Sequence, residues 1–123
     1  MARFPENWDI EESQVYFPVD VKDITDAFTI TAMLPGLKPK DVEIQIVNEN
    51  VSLKGEFKNE LEEGATYILQ ERLSGKFFRT VTLSDMLDAS KAEAHMENGI
   101  LTLQIPKAEE AKPKTIKVNS PKK

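Results

Sequence analysis

Between Val42 and Phe57 the chain alternates apolar and polar residues, breaks for three polar residues, and alternates again. Val42, Ile44 and Ile46 fall on one side, with Glu43 and Gln45 opposite. After Asn48-Glu49-Asn50, the residues Val51, Leu53, Gly55 and Phe57 share a side, against Ser52, Lys54 and Glu56. Successive side chains of a strand point to opposite faces, so each run makes a strand with one apolar face. Two such runs joined by a tight polar link make a hairpin. Each strand of that hairpin needs a second sheet to cover its apolar face, which commits the chain to a layered β structure.

The same period recurs along the chain. Val19 and Val21 alternate in a short edge strand. Phe28, Ile30 and Ala32 follow, with Asp26 ahead as a turn residue. Leu34-Pro35-Gly36-Leu37 then breaks the strand, because Pro35 fixes φ and Gly36 accepts a positive φ. Thr66-Tyr67-Ile68-Leu69 offers a brief strand after the charged stretch 58–65. Phe77, Arg79, Val81 and Leu83 share a side opposite Phe78, Thr80 and Thr82. Ser84 to Asp88 closes into a helical turn or a loop. Ala92, Ala94 and Met96 alternate with Glu93, His95 and Glu97. Asn98-Gly99 is a strong two-residue hairpin signal. Leu101, Leu103 and Ile105 line one face of the return strand, which stops at Pro106. Ile100 beside Leu101 suggests a strand partly covered on both faces. The count is about eight strands in some 90 residues with no long helix, a pattern that favours a β-sandwich over a barrel.

The 123 residues suffice for one domain. No cysteine is present, so neither disulfides nor thiol chemistry is available. No apolar run approaches the 18 or so residues of a membrane helix. The first 20 residues carry Glu6, Asp9, Glu11, Glu12 and Asp20, unlike a secretory signal. The expectation is a soluble cytoplasmic protein with no membrane partner. Net charge is −5, unevenly spread: residues 107–123 carry six lysines against Glu109 and Glu110, a local +4, which leaves −9 on the other 106. An acidic body disfavours nucleic acid as a partner. The lysine tail has neither arginine nor aromatic residues and reads as a solubilising segment.

Chemistry-bearing patterns are lacking. His95 is the one histidine and lies on a polar strand face, so a transition-metal site would depend on carboxylates. No serine sits in an activated-nucleophile motif. Glu11-Glu12, Glu62-Glu63 and Glu109-Glu110 are adjacent in sequence, and adjacent carboxylates of an extended chain diverge where acid–base catalysis needs convergence. No glycine-rich phosphate loop exists. The expectation is a non-enzyme with no cofactor and no metal.

Three features remain. Residues 1–17 hold Phe4, Trp8, Tyr16 and Phe17, four of the nine aromatics, without a clean period. They form an acidic arm that either packs on its own domain or buries itself between subunits. Arg79 shares a strand side with Phe77, Val81 and Leu83. A charge there needs a partner or an interface, and an intersubunit ion pair is favoured over a solvated edge position. Ile116 and Val118 stand alone beyond the polar stretch after Pro106. At a spacing of two they point to one side of an extended segment, a pattern suited to docking on a sheet edge.

Together these residues resemble the small heat shock proteins, the family of the α-crystallin domain, in its microbial and plant branch. Pro18-Val19-Asp20-Val21 matches the domain entry, followed by Phe28-Thr29-Ile30-Thr31-Ala32-Met33-Leu34-Pro35-Gly36 and Asp41-Val42-Glu43-Ile44. Gly55-Glu56, Glu71-Arg72 and Gly75-Lys76-Phe77-Phe78-Arg79 match the middle signatures. Ala94-His95-Met96-Glu97-Asn98-Gly99-Ile100-Leu101-Thr102-Leu103 matches the hallmark near the end, Pro106-Lys107 closes it, and Ile116-Lys117-Val118 matches the tail motif. The resemblance spans residues 18–118.

The resemblance implies an all-β, immunoglobulin-like sandwich of two antiparallel sheets over 18–107, after the arm 1–17 and before the extension 108–123. It implies an ATP-independent holdase that keeps non-native client proteins from aggregating, with a stress-response role. It implies a homodimer by strand exchange, with Thr66, Tyr67, Ile68, Leu69 and Arg79 at the interface and Glu62 or Glu63 as partner of Arg79. Dimers would join into larger homo-oligomers through Ile116 and Val118, seated in a groove lined by Val51, Leu53, Leu101 and Leu103. Phe4, Trp8, Tyr16 and Phe17 are the client-binding candidates. The arm is short for the family, and Val118 is the smaller of the two residues usual at its place. A co-chaperone adaptor with the same sandwich is the alternative reading, disfavoured by the intact tail motif. An enzyme with an unrecognised carboxylate site is a remote third.

Overall fold

The computed structural model describes residues 15–121. Among these residues seven strands form two antiparallel sheets: β1 Val19–Asp23, β2 Ala27–Met33, β3 Val42–Val47, β4 Asn50–Phe57, β5 Gly75–Thr82, β6 Glu93–Glu97 and β7 Ile100–Pro106. One sheet has the order β1-β2-β7-β6 and the other β3-β4-β5. Short 3-10 turns at Pro39–Asp41, Ala89–Lys91 and Glu109–Ala111 are the helical elements among the described residues. The chain is an all-β sandwich of two antiparallel sheets.

Turn chemistry follows the local sequence. At Leu34-Pro35-Gly36-Leu37, the Leu37 N–H donates to the Leu34 carbonyl at 3.2 Å and Gly36 takes φ +85°. That is a type II turn, with Pro at its first central position and Gly at its second. Asn98 and Gly99 both take positive φ and join β6 to β7 in the primed hairpin geometry. Asn48 also takes a positive φ at the β3–β4 link.

The alternating faces meet between the sheets. Phe28, Ile30 and Ala32 of β2 and Leu101, Leu103 and Ile105 of β7 are buried, and so are Val51, Leu53 and Phe57 of β4. They form two adjoining clusters, one around Phe17, Leu34, Phe57 and Phe77 and one around Phe28, Leu83, Leu87 and Ile105. Gly55 is required where the ring of Phe77, its cross-strand partner on β5, lies over β4. A Cβ there would lie 2.5 Å from the Phe77 ring and 2.7 Å from the Asp41 carbonyl oxygen.

Several expectations change. Phe17 is fully buried and packs edge-on against Phe77, with ring centroids 4.9 Å apart. Together with Val15 it extends the packed body back across the expected start of the domain. Residues 66–69 form no strand in this single chain, because a strand needs a neighbouring ladder and they have none among the described residues. Ile100 is exposed, paired across strands with the exposed Met33 on the outer face of the four-stranded sheet, where Thr102 is half-buried and Gln104 exposed.

Candidate functional site

The two sheets do not close at every edge. β3 is an outer strand of the three-stranded sheet and β6 an outer strand of the four-stranded sheet. Val42 and Ile44 pair with Gly55 and Leu53, so they point inward. Ala94 and Met96 pair with Leu103 and Leu101, so they also point inward. Each edge thus turns apolar side chains toward the interior, and among the described residues no strand lies beyond to cover them. The result is an open groove of about 490 Å³ lined by Pro39, Val42, Ile44, Ala94, His95 and Met96, with Leu101 at its base.

Of the four residues expected at a tail-accepting groove, Leu101 lines this opening and the other three do not. Val51, Leu53 and Leu103 are buried between the sheets and present no surface to a visiting segment, whereas Leu101 reaches the groove only as floor. The physical reason is topology: β4 is the middle strand of its sheet and β7 is flanked by β2 and β6. Inward residues of interior strands become core, and only those of edge strands remain reachable. The lining residues Val42, Ile44, Ala94 and Met96 already stood out in the sequence as alternating apolar positions. What the pattern did not carry was their place at the edges.

The tail motif is free of this groove within its own chain. Ile116 is 84% exposed and Val118 91%, in an extended segment without regular structure. The second exposed apolar element is the loop after β4. Asn59 Nδ2 donates to the Leu73 carbonyl at 3.2 Å and ties the ends of this loop together. Near its middle, Ile68 is fully exposed and Leu69 is 73% exposed, while Tyr67 is half-buried and Thr66 exposed.

Arg79 is half-buried on β5 and engages the root of the arm. Its Nη1 donates to the Phe17 carbonyl at 2.8 Å, and its guanidinium lies 5.8 Å from the Tyr16 ring and 5.7 Å from the Phe17 ring. Within one chain its contacts are therefore a backbone carbonyl and two aromatic rings. Of the client-binding candidates, Tyr16 is exposed, Phe17 is core, and Phe4 and Trp8 lie outside the described residues.

A buried cation was not foreseen from the sequence. Lys107, just past β7, lies with Nζ 3.0 Å from Asp23 and 3.4 Å from Asp85, and 4.9 Å from the centre of the Phe28 ring. The hydrogen bond to Asp23 holds the Lys107 ammonium above its ordinary pKa, and the same bond holds the Asp23 carboxyl below the usual carboxylate range. Asp88 is lowered too, by the hydrogen bond from the Ser90 hydroxyl. His95 is exposed beside the groove. Among the described residues no group of three His, Cys, Asp or Glu side chains is placed to hold a metal ion, and no helix is long and apolar enough to cross a membrane.

The described chain is a two-sheet sandwich with an apolar groove open between β3 and β6 and an exposed apolar tail. The comparisons identify the family. The model of the Hsp20/alpha crystallin family matches residues 20–119, and the chain belongs to that family, the small heat shock proteins. It is 37% identical over 105 residues to a 17.0 kDa class II heat shock protein of Zea mays, covering 82% of this chain and 68% of the relative. It is 36% identical over 102 residues to spore protein SP21 of Stigmatella aurantiaca, covering 82% of this chain and 60% of that protein. Among solved structures, a small heat-shock protein from Xylella fastidiosa with a distinct high order structure superposes with TM-score 0.69 at 34% identity, covering 87% and 99% of the two chains. Heat shock protein 16.0 of Schizosaccharomyces pombe superposes with TM-score 0.70 at 32% identity, covering 89% and 100%.

Proposed function

We propose that this protein is an ATP-independent holdase of the cytoplasm that binds non-native proteins and prevents their aggregation. It would work as homodimers joined into larger oligomers, with no cofactor and no covalent step. The observation that carries this reading is the complementarity of the surfaces one chain leaves unfilled. An apolar groove opens between β3 and β6, and Ile116 and Val118 stand almost wholly in solvent. Exposed apolar elements that match one another are an assembly device, because covering them removes apolar surface from water.

In this reading the tail of one dimer lays Ile116 and Val118 along Val42, Ile44, Ala94 and Met96 of another. Thr66 to Leu69 adds as a strand to a partner's sheet edge and gains there the ladder it lacks in a single chain. Burial of one isoleucine and one valine contributes about 3–6 kcal/mol before costs. Immobilising a partner costs on the order of 4 kcal/mol or more. A single tail contact is therefore weak and reversible, and several acting together hold an assembly that still exchanges subunits. Exchange opens the grooves and presents apolar surface to clients. Small heat shock protein relatives, including one with a high order structure, support self-association as the mode of action.

The test is direct. A heat-labile client is warmed with and without this protein, in the absence of nucleotide, and light scattering is followed. Suppressed scattering at near-equal subunit ratio, unchanged when ATP is added, is the expected outcome. Scattering that is unaffected, or suppressed only with ATP, sinks the reading.

A further inference from the structure

Lys107 is held on every side at the point where the chain leaves the sandwich. Its side chain is 7% exposed and meets Asp23 at the end of β1 and Asp85 in the β5–β6 connection, over the face of Phe28. The backbone is fixed in the same place. The Lys107 N–H donates to the Asp26 carbonyl, the Ala108 N–H to the Met86 carbonyl, and the Asp88 N–H to the Pro106 carbonyl, each at 2.8 Å. Leu87 and Lys107 form an isolated antiparallel bridge. Beyond Ala108 a short 3-10 turn at Glu109–Ala111 is followed by exposed extended chain.

A lysine is a costly way to fill a buried position, since its desolvation must be offset by carboxylates in good geometry. An apolar residue on Phe28 would serve cohesion as well. What the cation adds is direction: it joins three separate segments at one atom. We propose that the Lys107 clamp is a positioning device that fixes the root and heading of the C-terminal extension, and so determines how readily Ile116 and Val118 reach a neighbouring groove. This proposal rests on the tail-in-groove reading above.

The geometry gives the size of the effect. Nine residue steps separate Lys107 from Ile116, a maximum reach of about 32 Å. Opening the clamp frees residues 107 and 108 and lengthens the reach by about 7 Å. The volume the motif explores then grows roughly twofold, and the fixed heading is lost as well. Both changes lower the effective concentration of the motif at its groove. Subunit exchange should become several-fold faster and the size distribution broader, although the motif and groove are untouched.

The experiment compares the full chain with Lys107→Met, with Asp23→Asn, and with the double change Ile116→Ala plus Val118→Ala. Exchange between isotopically light and heavy subunits is followed by native mass spectrometry. Amide hydrogen exchange at residues 107 and 108 reads the clamp, and amides of β2 and β7 report that the sandwich is folded. Asp23→Asn keeps the side-chain oxygen that accepts the Thr25 N–H, and so remains informative if Lys107→Met does not fold. The proposal expects faster exchange of the 107–108 amides, a protected core, and several-fold faster subunit exchange in the clamp variants. Exposed 107–108 amides with unchanged subunit exchange would overturn it, as would amides that stay protected without the clamp. If the double tail change leaves the assembly intact, the tail reading itself fails, and the clamp proposal with it.

Discussion

Phe17 decides whether the end of the arm is working surface or structure. The resemblance casts it as a client-binding residue, whereas the fold buries it against Phe57 and Phe77. The two roles predict different consequences for Phe17→Ala. As core, the change removes a fully buried ring from a three-ring cluster and leaves a cavity, which costs about 3–5 kcal/mol. The edge-on contact with Phe77 at 4.9 Å places the cost in the upper part of that range. The Arg79 bond survives, because it goes to the Phe17 carbonyl and not to the ring. Small domains hold only about 5–15 kcal/mol in total, and each kilocalorie moves the midpoint of a domain this size by roughly 4–8 °C. Thermal melting by far-ultraviolet circular dichroism, at equal subunit concentration, should show a fall of at least about 12 °C. Tyr16→Ala is the control: its ring is exposed and its contact with the Arg79 cation contributes about 0.5–1 kcal/mol. A Phe17→Ala midpoint within about 4 °C of the parent, together with lost client protection, would refute the core assignment.

Other perturbations follow from the same geometry. Ala94→Glu sets a carboxylate in the groove at an exposed position, so melting should stay near the parent while light scattering shows the assembly breaking toward dimers. An unchanged assembly would remove the groove from the interface. Gly55→Ala forces a methyl group against the Phe77 ring and the Asp41 carbonyl, and should cost about 1–3 kcal/mol by urea titration; a neutral result would mean that β4 and β5 separate more easily than their packing implies. The clamp should depend on pH in both directions. Asp23 has its pKa lowered by folding, so its contribution is present above the ordinary carboxylate pKa and lost as pH falls through the lowered value. Lys107 has its pKa raised, so its contribution is present below the ordinary lysine value and lost as pH rises through the raised one. Lys107→Met should therefore lower stability most between these limits and converge with the parent at acid pH; a difference that persists unchanged below the carboxylate range would contradict the pairing.

The sandwich was legible because its strands alternate cleanly. Val51, Leu53, Gly55 and Phe57 were placed on one face by period alone, and all four are buried. Leu101, Leu103 and Ile105 follow the same rule. The limits of the reading lie in what alternation does not encode. Period two says which side a residue faces and nothing about whether its strand is central or outermost, so it does not separate Val51 and Leu53, which the resemblance puts at a groove, from Val42, Ile44, Ala94 and Met96, which line the open one. Thr66 to Leu69 has strand composition, but strand formation depends on a ladder partner that one chain does not supply. Phe17 follows an aperiodic segment, where burial leaves no pattern. Lys107 is a lysine at the end of a strand, a position that reads as solvated until Asp23 and Asp85, both distant in sequence, are brought to it by the fold.

The central claim is that the apolar surfaces left open by one chain are filled by other copies of it. Solution mass by light scattering, for the full chain and for the double change Ile116→Ala plus Val118→Ala, tests this most directly. The account predicts a large assembly for the full chain and dimers for the variant. Equal masses for the two, whether both large or both dimeric, would contradict it.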